Sequence, residues 1–141
     1  NETTWLDWSQ LEQHRDVFRF VRKMIEFRKR HPSLSRSRFW RDDVTWYGVQ
    51  HAPDLSFDSH SLAFCLHGTS LGDIDIYVMI NAWWNDLQFG IHEGQSGQWR
   101  RVVDTSLSSP DDIIQDENAA AVPSPYYRVA ARSVVVLVRP D

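Results

Sequence analysis

Paired acidic side chains are the residues in this chain that come nearest to catalytic equipment: Asp42-Asp43, Asp73 with Asp75, and Asp111-Asp112. A glycosidase or another acid/base enzyme needs two carboxylates facing each other across a substrate. Neighbours in a strand point to opposite faces instead. Each pair falls in an expected loop or at a strand start, where aspartate is a solvated turn residue, so no catalytic residue is assigned. The histidines at 14, 31, 51, 60, 67 and 92 show no H-x-x-x-H or Cys/His ligand spacing, and the single Cys65 cannot anchor a zinc ribbon. No metal is expected. Gly94-Gln95-Ser96-Gly97 falls one residue short of a G-x-S-x-G nucleophile elbow and reads as a turn before the Trp99 strand. No glycine motif for a dinucleotide or phosphate is present, so no cofactor is expected. Asn1-Glu2-Thr3 matches the N-glycosylation pattern, which means little without a secretory signal.

Tryptophans are the remaining candidates for binding chemistry. An indole face stacks on the apolar C–H face of a sugar ring while the hydroxyls stay wet, and Trp83, Trp84 and Trp99 could serve in this way. Filling a core or an interdomain contact is the commoner role of such rings. If the stretch from Ile76 to Trp84 were extended throughout, its alternation would bury at most one of the adjacent pair Trp83-Trp84 against a given sheet and leave the other exposed.

The elements that would carry these residues divide at Pro32. Ser9-Gln10-Leu11-Glu12 has capping-box spacing, and a helix is expected over 10–30. Its apolar residues Val17, Phe18, Phe20, Val21, Met24, Ile25 and Phe27 spread over about half the circumference, wider than one buried stripe, so the helix needs partners on two sides. A bare side would favour self-association. His31-Pro32 ends it. Beyond lie short β-branched and aromatic runs at 44–49, 61–67, 75–81, 87–92, 99–103, 127–129 and 133–138, separated by turn residues. That spacing predicts an antiparallel β-sandwich. The connection over 104–125, rich in Ser, Ala, Asp and Pro, is expected to be a mobile surface segment rather than a lid.

At 141 residues, 42% of them hydrophobic and with seven Trp and seven Phe, the chain can build a full core without staples. The formal net charge of −4 removes the electrostatic footprint of a nucleic-acid binder. Arg19, Arg22, Lys23, Arg28, Lys29 and Arg30 lie along the helix among apolar residues. Cys65 sits in an apolar run and reads as a buried small side chain. No run approaches the ~20 apolar residues of a membrane helix, so no membrane partner and a cytoplasmic location are expected. With no initiating Met, signal or transit segment, and with Trp5 and Trp8 so early, the chain is expected to begin inside a larger protein.

The opening segment from Asn1 to Trp8, the helix with His31-Pro32-Ser33-Leu34, Tyr77-Val78-Met79-Ile80-Asn81-Ala82, Trp99-Arg100-Arg101-Val102-Val103-Asp104-Thr105 and the run from Tyr127 to Leu137 resemble, in order and over nearly the whole chain, one family. It is the C-terminal region of bacterial glycogen debranching enzymes of the isoamylase type, in the α-amylase clan. The resemblance implies a mainly β fold: residues 1–32 as the tail and last helix of an upstream (β/α)8 barrel, and residues 33–141 as a C-terminal β-sandwich. It implies a parent that hydrolyses α-1,6 branch linkages of glycogen, with its catalytic carboxylates on barrel strands outside this chain. The chain itself is then a noncatalytic accessory region whose partners are the barrel and, through the parent, an α-glucan. Asn1, Glu2 and Trp5 match a segment near the barrel's active-site face and are weak substrate-contact candidates. Thr3 and Thr4 depart mildly from the aliphatic and small polar residues usual there. The alternative is a carbohydrate-binding module using Trp83, Trp84 or Trp99.

Overall fold

The computed structural model describes residues 5, 7–36 and 42–140. Two helical segments replace the expected single one: α1, Gln10–Gln13, and α2, Arg15–Arg30, meet at His14, whose φ of −118° and ψ of 40° interrupt the helix. The expected capping box does not form. Ser9 is itself helical, and the cap is Asp7, whose Oδ1 accepts from Ser9 N at 3.0 Å and Ser9 Oγ at 2.6 Å. A carboxylate is the stronger acceptor at a helix N-terminus and also suits its dipole. Glu12 turns instead to Arg15 at 2.8 Å. At the other end His31 is extended, as the residue before a proline should be, and Pro32 opens a single turn, α3, Pro32–Ser35.

All seven expected strands form: β1, Val44–Tyr47; β2, Ser61–Leu66; β3, Asp75–Asn81; β4, Leu87–Gly90; β5, Arg100–Asp104; β6, Tyr126–Val129; and β7, Ser133–Arg139. The sandwich is lopsided. Five strands pair antiparallel in the order β1-β2-β3-β7-β5, and β4 pairs with β6 alone. Strand alternation sends Ala63, Cys65, Tyr77, Met79, Val135 and Leu137 toward the small sheet, where they meet Phe89, Val129 and Trp99. The opposite set, Leu66, Ile76, Val136 and Val138, faces Phe20, Met24 and Phe27 of α2. The central strands are therefore covered on both faces, which is why β7 reads as a continuous apolar run rather than an alternating one.

Helix α2 buries only part of its apolar surface. Phe20, Met24 and Phe27 pack on the sheet, while Val17, Phe18, Val21 and Ile25, an arc of about 100° on the helix, remain at least half exposed. No described helix is long and apolar enough to cross a membrane.

The connection after β5, expected to be mobile, is packed down. Ile113, Ala119 and Val122 are buried, and bridges join Val103 to Ile113 and Arg100 to Ala121. Its polar composition hides three apolar anchors spaced along the edge of β5, and these, with the backbone bonds Ile114 N to Val102 O and Val122 N to Trp99 O, hold the segment on the sheet.

Candidate functional site

Strand β3 ends at Asn81, and that side chain organises the turn carrying both tryptophans. Asn81 is buried; its Nδ2 lies within hydrogen-bonding distance of the carbonyls of Asn85 (2.9 Å), Val129 (3.1 Å) and Ala130 (3.0 Å), and its Oδ1 accepts from Trp83 N at 2.9 Å. Asp86 closes the same turn against the loop before β7: Oδ1 accepts from Ala131 N at 2.9 Å, and Oδ2 from Arg128 Nε at 2.8 Å. The Arg128 and Ala131 hydrogen bonds hold the Asp86 carboxyl below the usual carboxylate range, the backbone bond contributing most. Arg132 completes the assembly. It adopts a left-handed φ of 53°, donates its backbone N–H to Trp83 O at 3.1 Å, and sets its guanidinium over the Trp84 ring with Cζ 5.3 Å from the centroid. The turn begins where β3 stops, so the strand alternation expected through Trp84 does not apply and neither ring enters the core: Trp83 is 37% and Trp84 68% exposed.

Trp83 lines an open groove of about 220 Å3 together with Val49, Leu87, Asp54, Asp58, Ser59, His60 and Ser61. The His60 ring lies 5.0 Å from the Trp83 ring at an interplanar angle of 53°. His60 Nδ1 must donate to Asp58 O, 2.5 Å away, because a carbonyl can only accept. Asp54 accepts from Ser56 N at 3.0 Å, and that bond with the Ser56 hydroxyl holds its carboxyl ionised, below the usual range.

Trp99 has a different fate from the other two. It is 1% exposed, its Nε1 donates to Glu93 O at 2.6 Å, and its ring packs edge-on against Tyr77 at 5.5 Å with the Arg139 guanidinium over it. Trp99 is a core residue and offers no sugar platform. Trp5 is solvent-exposed on the segment before α1; Asn1 and Glu2, with the glycosylation-like pattern, lie outside the described residues. Gly94 and Gly97, at φ of 68° and 86°, form the turn expected before β5.

The aspartates expected to be plain solvated turn residues are mostly latches. Asp73 Oδ1 meets His31 Nδ1 at 2.8 Å, Asp73 Oδ2 accepts from Ser33 N at 3.0 Å, and Asp116 Oδ2 meets the other ring nitrogen of His31 at 3.1 Å. Asp112 pairs with Arg19, Asp75 with Arg139, and Asp43 with Arg36 at 2.6 Å. Apart from Asp75–Arg139, which ties β3 to β7 within the sheet, these contacts bolt the helical segment and its following turn to the β domain. Carboxylates only accept, so a His31 ring facing two of them donates from both nitrogens and is an imidazolium. Burial alone would push the His31 pKa down, but the hydrogen bonds to Asp116 and Asp73 outweigh it and the net shift is upward. Burial likewise opposes ionisation of Asp73, and its bonds to His31 and Ser33 carry its pKa downward. Sequence spacing could not reveal this group, because its members are separated by 42 and 85 positions.

A second cluster also escaped spacing arguments. Cys65, His67 and Glu93 bring potential metal-ligand atoms within 4.8 Å of one another. Their polar atoms have protein partners: His67 Nε2 meets Thr45 Oγ1 at 2.9 Å, and Tyr47 Oη donates to Glu93 Oε1 at 2.7 Å. Burial and the Glu93 charge push the Cys65 thiol up, away from the thiolate that metal ligation requires.

An antiparallel β domain of five strands on two, with a helix bolted to the outer face of the larger sheet, is the class of domain these features define. The family "Isoamylase, C-terminal" matches residues 44–138, and the chain belongs to that family. It is 39% identical over 133 residues to "Isoamylase 3, chloroplastic" of Oryza sativa subsp. japonica, covering 92% of this chain and 16% of that protein. It is 33% identical over 113 residues to the isoamylase of Pseudomonas amyloderamosa (74% and 15%), and 24% identical over 164 residues to the "Glycogen operon protein GlgX homolog" of Mycobacterium bovis (97% and 22%). The chain thus spans about a sixth of the length of the first of these relatives. In structure it is similar to pullulanase from Bacillus acidopullulyticus, with a TM-score of 0.66 and 24% identity over 94% of this chain and 15% of that one.

Proposed function

We propose that this chain is the C-terminal part of a glycogen debranching enzyme that hydrolyses α-1,6 glucosidic branch linkages in the cytoplasm, and that its own role is noncatalytic. In this reading residues 1–32 close an upstream (β/α)8 barrel, residues 33–141 are the sandwich behind it, and the parent acts on glycogen. One observation carries the reading: α2 has two apolar stripes, of which Phe20, Met24 and Phe27 cover the sheet while Val17, Phe18, Val21 and Ile25 are left for a second body. An exposed stripe of that size is costly: full burial of a large apolar side chain is worth roughly 1.5–3 kcal/mol, and each of these four still shows about half of itself to water. Family membership and the small share of each relative that the chain spans support the same arrangement. The carboxylate clusters support a structural role, since Asp73, Asp75 and Asp112 are engaged by His31, Arg139 and Arg19. Asn1, Glu2 and Trp5 would then lie near the barrel's substrate face.

The test compares the purified 141-residue chain with a longer chain that includes the upstream residues, assayed on a branched glucan for release of linear chains. Debranching by the longer chain alone is the expected result. Measurable debranching by the 141-residue chain would sink the noncatalytic assignment, and an inactive longer chain would sink the debranching assignment.

A further inference from the structure

We propose that the groove between Trp83 and residues 54–61 is a docking site for a linear α-1,4-linked glucan, so that the β domain holds the polymer by its unbranched chains. The assignment of the ligand as an α-glucan rests on the debranching reading above; the existence of a sugar site rests on the groove itself.

The groove has the three parts that sugar recognition needs. Trp83 supplies an indole wall that is partly exposed and rigidly set, because Asn81 Oδ1 holds its backbone N–H and Arg132 N–H holds its carbonyl. A rigid aromatic platform binds without a large ordering cost. Val49 and Leu87 supply an apolar floor, already packed on the core. The rest of the lining is rich in hydrogen-bond acceptors: the ionised Asp54, the Asp58 carboxylate, and the hydroxyls of Ser59 and Ser61. His60 commits its Nδ1 proton to the Asp58 carbonyl, so Nε2 is the ring nitrogen left to meet a ligand. Sugar hydroxyls donate to such groups while the C–H face of a pyranose leans on the indole.

Size and shape narrow the ligand. At about 220 Å3 the groove is smaller than the roughly 300–1,000 Å3 pockets that enclose whole small ligands, so it takes part of a chain whose remainder stays in water. Trp83 and His60 pack against each other at 53°, so the groove offers one indole face rather than a coplanar row of rings. A flat β-linked ribbon stacks on coplanar rings, whereas a chain that turns at each α-1,4 linkage leans a single residue on one indole. Trp84 is not part of the groove, and its ring is already covered on one side by Arg132.

The experiment titrates the isotope-labelled 141-residue chain with maltoheptaose and, separately, with cellohexaose, following indole and amide resonances. The expected result is saturable movement of the Trp83 indole and of the Ser59 and Ser61 amides, with a Kd of about 1 mM for maltoheptaose and an unmoved Trp99 indole as the reporter of an intact fold. Trp83→Ala weakens binding at least about tenfold. The double variant Asp54→Asn with Asp58→Asn, which keeps the shape, also weakens it, and Trp84→Ala leaves it unchanged. Absence of saturable shifts, or loss of binding with Trp84→Ala but not Trp83→Ala, would overturn the site. Equal affinity for cellohexaose would overturn the α-glucan assignment. The debranching assay of the longer chain is read independently, so failure of the groove and failure of the debranching reading give different results.

Discussion

His31 stands between Asp73 and Asp116, with Nδ1 2.8 Å from one carboxylate and Nε2 3.1 Å from the other, at the point where the helix ends and the β domain begins. The ring also lies 4.4 Å from Phe27, so the charged junction and the apolar face of α2 are one packed unit.

The junction makes stability depend on pH in a defined direction. The folded His31 pKa lies above its ordinary 6.5, so its contribution is complete below that value and is lost as pH rises through the folded pKa. Asp73 is depressed below its ordinary 3.8, so its contribution is present above that value and is lost as pH falls through the folded pKa. Both contributions are full between about pH 4 and 6. Urea denaturation across pH 4–9 should show stability falling as pH rises from 6.5 through the folded His31 pKa and levelling off above it, and His31→Gln should flatten that limb. An unchanged limb in the variant would assign the loss to another group.

Gly68→Ala should loosen the same junction without touching it. A Cβ on Gly68 would stand 2.3 Å from the carbonyl oxygens of Asp73 and Ile74, so the loop presenting Asp73 must shift. The expected loss is about 1–3 kcal/mol, measured by chemical denaturation, together with a lowered His31 pKa in an NMR titration.

Trp99→Ala and Trp84→Ala should differ sharply. Trp99 fills the core between the two sheets and its loss should cost about 3–5 kcal/mol, whereas the exposed Trp84 should cost no more than about 1 kcal/mol, the scale of its contact with Arg132. Thermal and urea melts of the two variants check this.

The bare stripe of α2 should drive association of the isolated chain. Val21→Glu with Ile25→Glu is expected to remove concentration-dependent dimerisation in sedimentation experiments while changing stability by less than about 0.5 kcal/mol per site, because both side chains are half exposed. The same pair in a longer chain with its barrel should lower the melting temperature. A wild-type chain that stays monomeric at all concentrations would refute the self-association.

What the sequence disclosed, and what it hid, follows from the range of each interaction. The strands were legible because alternation and turn residues are local: 75–81 was expected and Asp75–Asn81 forms. The breadth of the helix's apolar arc was legible, and the structure packs one stripe of it on the sheet and leaves the other exposed. Asp7 displaced Ser9 as the cap because two capping residues two positions apart competed, and the carboxylate prevailed. The clustered aspartates looked solvated because their partners, His31, Arg19 and Arg139, arrive from distant positions. Trp83 and Trp84 were found as candidates, but the groove beside them was not, since residues 54–61 reach Trp83 only through the pairing of β2 with β3.

The larger sheet has no outer face of its own: Leu66, Ile76, Val136 and Val138 are covered by a helix that lies earlier in the chain than any strand. The proposed division at residue 32 would cut through this shared packing. A polypeptide starting at residue 33 would present a flat greasy sheet to water and aggregate, whereas one that keeps α2 carries its own cover. In the proposed larger enzyme the same helix would make the stability of the β domain and that of its neighbour a shared quantity, so that damage to either would be felt by both.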